Sequence, residues 1–252
     1  MRTKLIILLI VLSSTEIFSQ GPPIITDTPI LLGLSGGGVR TFGKVVQSDA
    51  GSTFIQMLII PYNFTSKFQV GLVQNYTFRS LNIGEHNSGL GNTAVFAKLQ
   101  LFKVDGKAKT FRSIVKLVQR FPTGKMSIGD NSYGTTLQWN IGYITTEYGL
   151  YGTLGYTLNS SNVPDNLNYD LAFGYPLLPQ KYPVMQLNVF IEANAKVNFD
   201  SNQHILFISP GIQLIPLNTF LIETSLQIPV VQNNFSTKAN YNYLLGIRYL
   251  FF

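Results

Sequence analysis

The chain has 252 residues, a formal net charge of +6 and no cysteine, which excludes a disulfide scaffold, a cysteine nucleophile and a thiolate metal site. Only 12% of its residues are charged, against 45% hydrophobic and 13% aromatic; a soluble domain usually carries about 25% charge. The mean hydropathy of +0.18 is too low for a bundle of membrane helices, and the basic residues are scattered rather than clustered, which argues against a nucleic-acid partner.

In chain order, the first element is an export address. Arg2 and Lys4 precede the short apolar run Leu5–Leu12, and Ile17-Phe18-Ser19 places a small residue just before Gln20. That run is far shorter than the roughly 20 residues needed to span a bilayer as a helix, so residues 1–19 read as a cleaved signal peptide. Residues 20–37 form an extension with Pro22, Pro23 and Pro29 and several glycines, and they show no periodicity.

From residue 38 onward, apolar and polar residues alternate with period two over about ten residues at a time, broken by turn residues. Strands are expected at 38–47, 52–61, 67–79, 92–104, 109–121, 135–146, 148–159, 168–178, 186–199, 203–215, 219–229 and 241–252, with Gly36-Gly37-Gly38 and Pro61 blurring the ends of the first two. The clearest is the ninth. Leu187, Val189, Ile191, Ala193, Ala195, Val197 and Phe199 fall on one side, and Gln186, Asn188, Glu192, Asn194, Lys196 and Asn198 on the other. A helix would scatter that apolar set around its circumference.

The connections divide into two alternating sets. Asn63–Ser66, Asp105–Ala108, Glu147, Pro179–Pro183 and Pro216–Asn218 are short, whereas Ser80–Gly91, Pro122–Gly134, Ser160–Leu167 and Val230–Asn240 are long and polar. Short turns on one side and long loops on the other, with an even strand number, are the pattern of a membrane barrel with both termini in the periplasm. A soluble β-sandwich would turn its polar face outward and its apolar face to a core. Here the opposite face is too polar for a core, while the uniform face is rich in Leu, Ile, Val, Tyr and Phe. The expected fold is all-β: a single transmembrane, antiparallel, up-and-down β-barrel of about twelve strands over residues 38–252. Its place is the outer membrane of a Gram-negative bacterium, with outer-membrane lipid and the assembly machinery as partners.

Charge in hydrocarbon costs several kcal/mol, so the strand charges should face the lumen. They are Lys44, Arg79, Lys98, Arg112, Lys116, Arg120, Asp170, Glu192, Lys196, Glu223 and Arg248. Two readings stand: selection of a solute, with the basic excess favouring anions, or an interior held by ion pairs such as Glu223 with Arg248. Phe42, Phe96, Tyr151 and Phe190 interrupt the polar face, either as stacking surfaces for an aromatic solute or as filling. The extension, Gly21–Gly38, either folds into the lumen as a plug or hangs as a periplasmic tail.

No catalytic, cofactor or metal site emerges. His204 falls on the outward phase without a serine in phase beside it, and His86 sits in a loop, so an outer-membrane lipid hydrolase has little to rest on. Asn63, Asn75, Asn159 and Asn234 head Asn-X-Ser/Thr triplets, which matter only in a eukaryotic secretory protein.

The last strand sets Tyr241, Tyr243, Leu245, Ile247, Tyr249 and Phe251 on one face. Aromatics near strand ends suit the membrane–water boundary. Tyr249, Phe251 and the terminal Phe252 therefore read as an assembly signal, with Phe251 rather than Phe252 in the lipid-facing register.

Several short motifs occur in order along the chain. They are Gly21-Pro22-Pro23, Thr26-Asp27-Thr28-Pro29, Gly89-Leu90-Gly91-Asn92 before a strand holding Lys98, and Phe121-Pro122-Thr123-Gly124. Ser209-Pro210-Gly211-Ile212-Gln213, Ile228-Pro229-Val230 and Gly246-Ile247-Arg248-Tyr249 follow. Together they resemble the outer-membrane "transporter" family named for the meta-pathway of phenol degradation. One departure is Asn92, where the family pattern carries an acidic residue. The resemblance implies passage of small, often aromatic, compounds and supplies no catalytic residues. The expected function is thus passage of small hydrophobic or aromatic molecules, with a closed structural barrel as the alternative.

Overall fold

The structure, a computed structural model, describes residues 21–31, 36–160, 163–178 and 185–251; the expected signal peptide and Phe252 lie outside them. Among the described residues the strands are β1 (Gly36–Ser48), β2 (Gly51–Thr65), β3 (Phe68–Leu81), β4 (His86–Leu90), β5 (Thr93–Gly106), β6 (Lys109–Phe121) and β7 (Gly134–Thr145). They continue with β8 (Gly149–Asn159), β9 (Asn166–Pro176), β10 (Gln186–Asn198), β11 (Gln203–Leu217), β12 (Phe220–Asn233) and β13 (Ala239–Phe251). Each pairs antiparallel with its neighbours in one sheet. β1 bonds to both β2 and β13, and the β2–β3 pairing completes the ring.

The thirteen described strands occupy twelve positions around the ring, because β4 and β5 share one. The loop-side half of β3 pairs with β4 (Tyr76↔Leu90 to Ser80↔His86), and the other half with β5 (Phe68↔Leu99 to Val73↔Ala94). The register slips by one residue between them, at Gly91-Asn92, where the Gly91 N–H donates to the Asn75 carbonyl at 2.9 Å. This is a β-bulge, an extra residue set into one strand. The expected long loop Ser80–Gly91 is therefore corrected. His86-Asn87-Ser88-Gly89 carries no apolar alternation, yet the exposed ladder of β3 recruits it as a strand.

The expected loop asymmetry is also softened. β12 and β13 extend to Asn233 and Ala239, and β9 starts at Asn166, so two of the expected long loops shrink. On the short-turn side, β9 ends at Pro176 and β10 begins at Gln186, and the expected turn Pro179–Pro183 lies outside the described residues. The triglycine lies inside β1. A Cβ on Gly37 would stand 2.7 Å from the Pro61 carbonyl oxygen, so only glycine lets β1 approach β2 there. Opposite Gly38 and Val39 the β1–β2 ladder is interrupted at Ile60-Pro61, as expected where proline removes a donor.

The alternation sorts side chains as the period-two pattern requires. On β7, β9 and β13 the outer wall carries Leu137, Leu171 and Leu245, exposed by 60%, 64% and 52%. Facing inward, Asn140, Gln213, Glu192 and Glu223 are buried. The arrangement inverts a water-soluble protein. Its apolar core is small and lies inside the ring, where Ile24 meets Ile144, Tyr151, Ala172, Phe190 and Leu244, with Ile25, Ile30 and Phe42 packed against it.

Candidate functional site: the lumen and its N-terminal segment

Residues 21–31 run inside the barrel, and three carboxylates organise their seat. Glu192 of β10, buried on the inward phase, accepts the backbone N–H groups of Ile24 (2.8 Å), Ile25 (3.1 Å) and Thr26 (2.6 Å). Three successive amides converging on one carboxylate form an anion-binding concavity, with the anion supplied by the wall. Glu223 of β12 bridges Arg40 of β1 (2.7 Å) and Arg248 of β13 (2.8 Å). Those arginines reach onward to the segment: Arg40 donates to the Ile24 carbonyl, and Arg248 to the Pro23 carbonyl at 2.6 Å. Gln213 donates to the Pro22 carbonyl at 2.9 Å, and the Tyr151 hydroxyl to that of Gly21 at 3.3 Å.

The third carboxylate belongs to the segment itself. Asp27 accepts from Lys98 of β5 at 2.5 Å, Lys116 of β6 at 2.8 Å and Gln138 of β7 at 3.2 Å. Burial pushes its carboxyl upward, but the ammonium groups of Lys116 and Lys98 outweigh that and hold it well below the ordinary carboxylate range. Glycines in the wall make room for the chain. A Cβ on Gly211 would stand 2.5 Å from Ile24, and one on Gly142 2.6 Å from Pro29.

The sequence-derived candidates divide by what they touch. Lys98 and Lys116 meet Asp27, Glu192 meets the segment backbone, and Glu223 joins Arg248. Arg120 sits at the loop-side end, on Asp130 (2.9 Å) and the Asn159 side-chain Oδ1 (2.9 Å). Lys196 keeps the inward phase, but its side chain is exposed at the loop-side end of β10. Phe190, Phe42 and Tyr151 pack around Ile24. In this arrangement they serve the segment rather than a free solute path. Phe96 stands apart, against Lys116 and Lys98.

Two residues escaped the sequence reading. Arg40 shares the parity of Phe42 and Lys44, so the alternation already placed it inward. Asp27 entered only within the Thr26-Asp27-Thr28-Pro29 motif and not as a site candidate, although it is the one charged residue between Gly21 and Val39.

Asn92, the departure from the family pattern, lies at the bulge. Its amide donates to the carbonyl and carboxylate of Asp130 and accepts from the Gly124 N–H at 3.0 Å. An amide suits this position because Asp130 already brings a negative charge. On the outer wall the His204 ring meets the Tyr169 hydroxyl at 3.0 Å, engaged with a phenol rather than a serine. His86 stacks on Phe78. Tyr249 and Phe251 are exposed on the outer wall of β13.

No protein-family model matches the chain, and no curated protein matches it. Solved structures do. The outer-membrane channel of Pseudomonas putida F1 aligns with a TM-score of 0.69 at 12% identity, over 91% of this chain and 100% of that one. A KdgM porin in complex with oligogalacturonate aligns at 0.55 and 11% identity, over 84% and 99%. The β-domain of the Bordetella autotransporter BrkA aligns at 0.53 and 14% identity, over 86% and 100%. The fold is that of outer-membrane β-barrels.

Proposed function

We propose that the protein is an outer-membrane channel for small hydrophobic or aromatic molecules, exported by its signal peptide and holding both termini in the periplasm. The observation that carries this reading is what fills the lumen. An apolar outer wall suits only lipid, and the middle of the interior is occupied by a tethered segment, residues 21–31, seated on wall charges. A purely structural barrel could fill itself with wall side chains; here the filling is a separate piece of chain that can leave without breaking a strand. The motif resemblance supports aromatic solutes, and the inward basic side chains support anionic ones.

Purified mature protein in liposomes tests the reading against empty liposomes, with benzoate, phenol and a small sugar as solutes. The aromatic compounds should pass faster than the sugar, and deleting Gly21–Gly37 should raise all rates. Equal rates for the three would refute the aromatic preference. No rate above empty vesicles, with or without the deletion, would leave a closed structural barrel.

A further inference from the structure

Lys98 and Lys116 are direct partners across the β5–β6 ladder. Like charges directly opposite on one face of a sheet destabilise it, and Lys98 is only 5% exposed, so water cannot fully screen the pair. Such an arrangement calls for an anion between the two ammonium groups. The anion present is Asp27, one oxygen on Lys98 and the other on Lys116, with the Gln138 amide adding a third donor. Beside this cradle stands an aromatic wall. The Phe96 ring is buried, its centroid 4.9 Å from Lys116 Nζ and 6.0 Å from Lys98 Nζ. It leans on β3 at Gly71, where a Cβ would stand 2.3 Å from the ring, so glycine there is what lets the ring lie against the wall. Two cations, an amide donor and an aromatic face within one reach complement a carboxylate attached to a flat apolar body.

The wall supplies every one of these groups, while Asp27 comes from the segment that precedes β1. The ligand in place is thus tethered and exchangeable. Its single negative charge faces two positive ones, so the cradle keeps an attraction for anions while Asp27 is seated.

We propose that Lys98, Lys116, Gln138 and Phe96 form a binding site for an aromatic carboxylate, and that Asp27 occupies it as a built-in surrogate, so that solute and N-terminal segment compete for one place. This deepens the channel reading and rests on it for the solute class. A carboxylate solute displaces Asp27 from the lysines and frees the adjoining residues of the segment; neutral compounds of the same shape lack the charge to do so.

The test is direct binding to the folded, full mature chain in detergent, by calorimetry, with benzoate and its neutral isostere benzamide. A short tether holds its ligand at an effective concentration on the order of millimolar, so Asp27→Asn should tighten benzoate binding by roughly tenfold or more. Benzamide binding should not change, and adding Lys98→Met or Lys116→Met to Asp27→Asn should abolish the gain. Unchanged benzoate affinity in Asp27→Asn would overturn the proposal. So would an equal gain for benzamide, which would make Asp27 a steric block, or a gain that survives the lysine substitutions. A second measurement covers the case in which Asp27→Asn fails to fold. The chain has no cysteine, so Thr28→Cys takes a single spin label. Benzoate should mobilise the label and benzamide should not; a label indifferent to benzoate overturns the proposal. Binding is read without flux, so a positive result here with no liposome transport would sink the channel reading and leave the site standing.

Discussion

Glu192→Gln is the sharpest single perturbation of the segment's seat. In the wild type one carboxylate oxygen accepts from Ile24 and Ile25, and the other from Ile25 and Thr26. Glutamine keeps one accepting oxygen and turns its NH2 toward the remaining N–H, so donor faces donor. A charge-assisted bond is lost and a buried amide is left unpaired, together about 3 kcal/mol. That corresponds to roughly a hundredfold shift from seated toward released segment. Amide hydrogen exchange reads these three N–H groups directly, and their protection should fall by about that factor while amides of the β10–β11 ladder keep theirs. A fall below about threefold would refute the reasoning: it would show that the segment is held by Ile24 packing and the arginine contacts alone. A parallel fall throughout β10 would refute it as well, since it would make Glu192 a strut of the wall rather than a hook for the segment.

Two further outcomes are expected. Because the folded Asp27 carboxyl is held below its usual value of 3.8, the stability it adds is fully present at neutral pH and is lost only as pH falls below that value. A spin label at Thr28→Cys should therefore loosen as pH falls below that value, and a label that stays as immobile in that acid range as at neutral pH would contradict the ion-pair assignment. Changing Tyr249 and Phe251 together to Ser should lower the amount of heat-modifiable, folded barrel in outer-membrane fractions, since both rings stand on the outer wall of the closing strand; an unchanged amount would show that this strand's aromatics are dispensable for assembly.

Most of the barrel was legible because its signal is local. In a strand, side chains alternate by geometry, so Leu187 through Phe199 declare a face without reference to any other strand. The same parity put Lys98, Lys116, Glu192, Glu223 and Arg248 on the inward side, and it would have placed Arg40 there had it been followed to the start of β1. β4 was not legible, since His86-Asn87-Ser88-Gly89 has no alternation and becomes a strand only because β3 offers unpaired backbone. The alternation left the inward aromatics as either filling or stacking surfaces, and what they pack against was hidden for a related reason. Phe42, Tyr151 and Phe190 lie on different strands, and their common neighbour Ile24 lies on none.

What the sequence by itself determined is twelve of the thirteen described strands, the two faces of each and the closing order, because consecutive antiparallel strands pair across short turns and a period of two needs no distant partner. What only the tertiary structure decided is which charges meet. Asp27 lies 71 residues before Lys98 and 89 before Lys116, and Glu192 lies 168 residues after Ile24. Those pairings exist because ring closure converges strands from the whole chain on one lumen, where low dielectric and scarce water make an unpaired charge costly enough that the N-terminal segment is drawn in to match it.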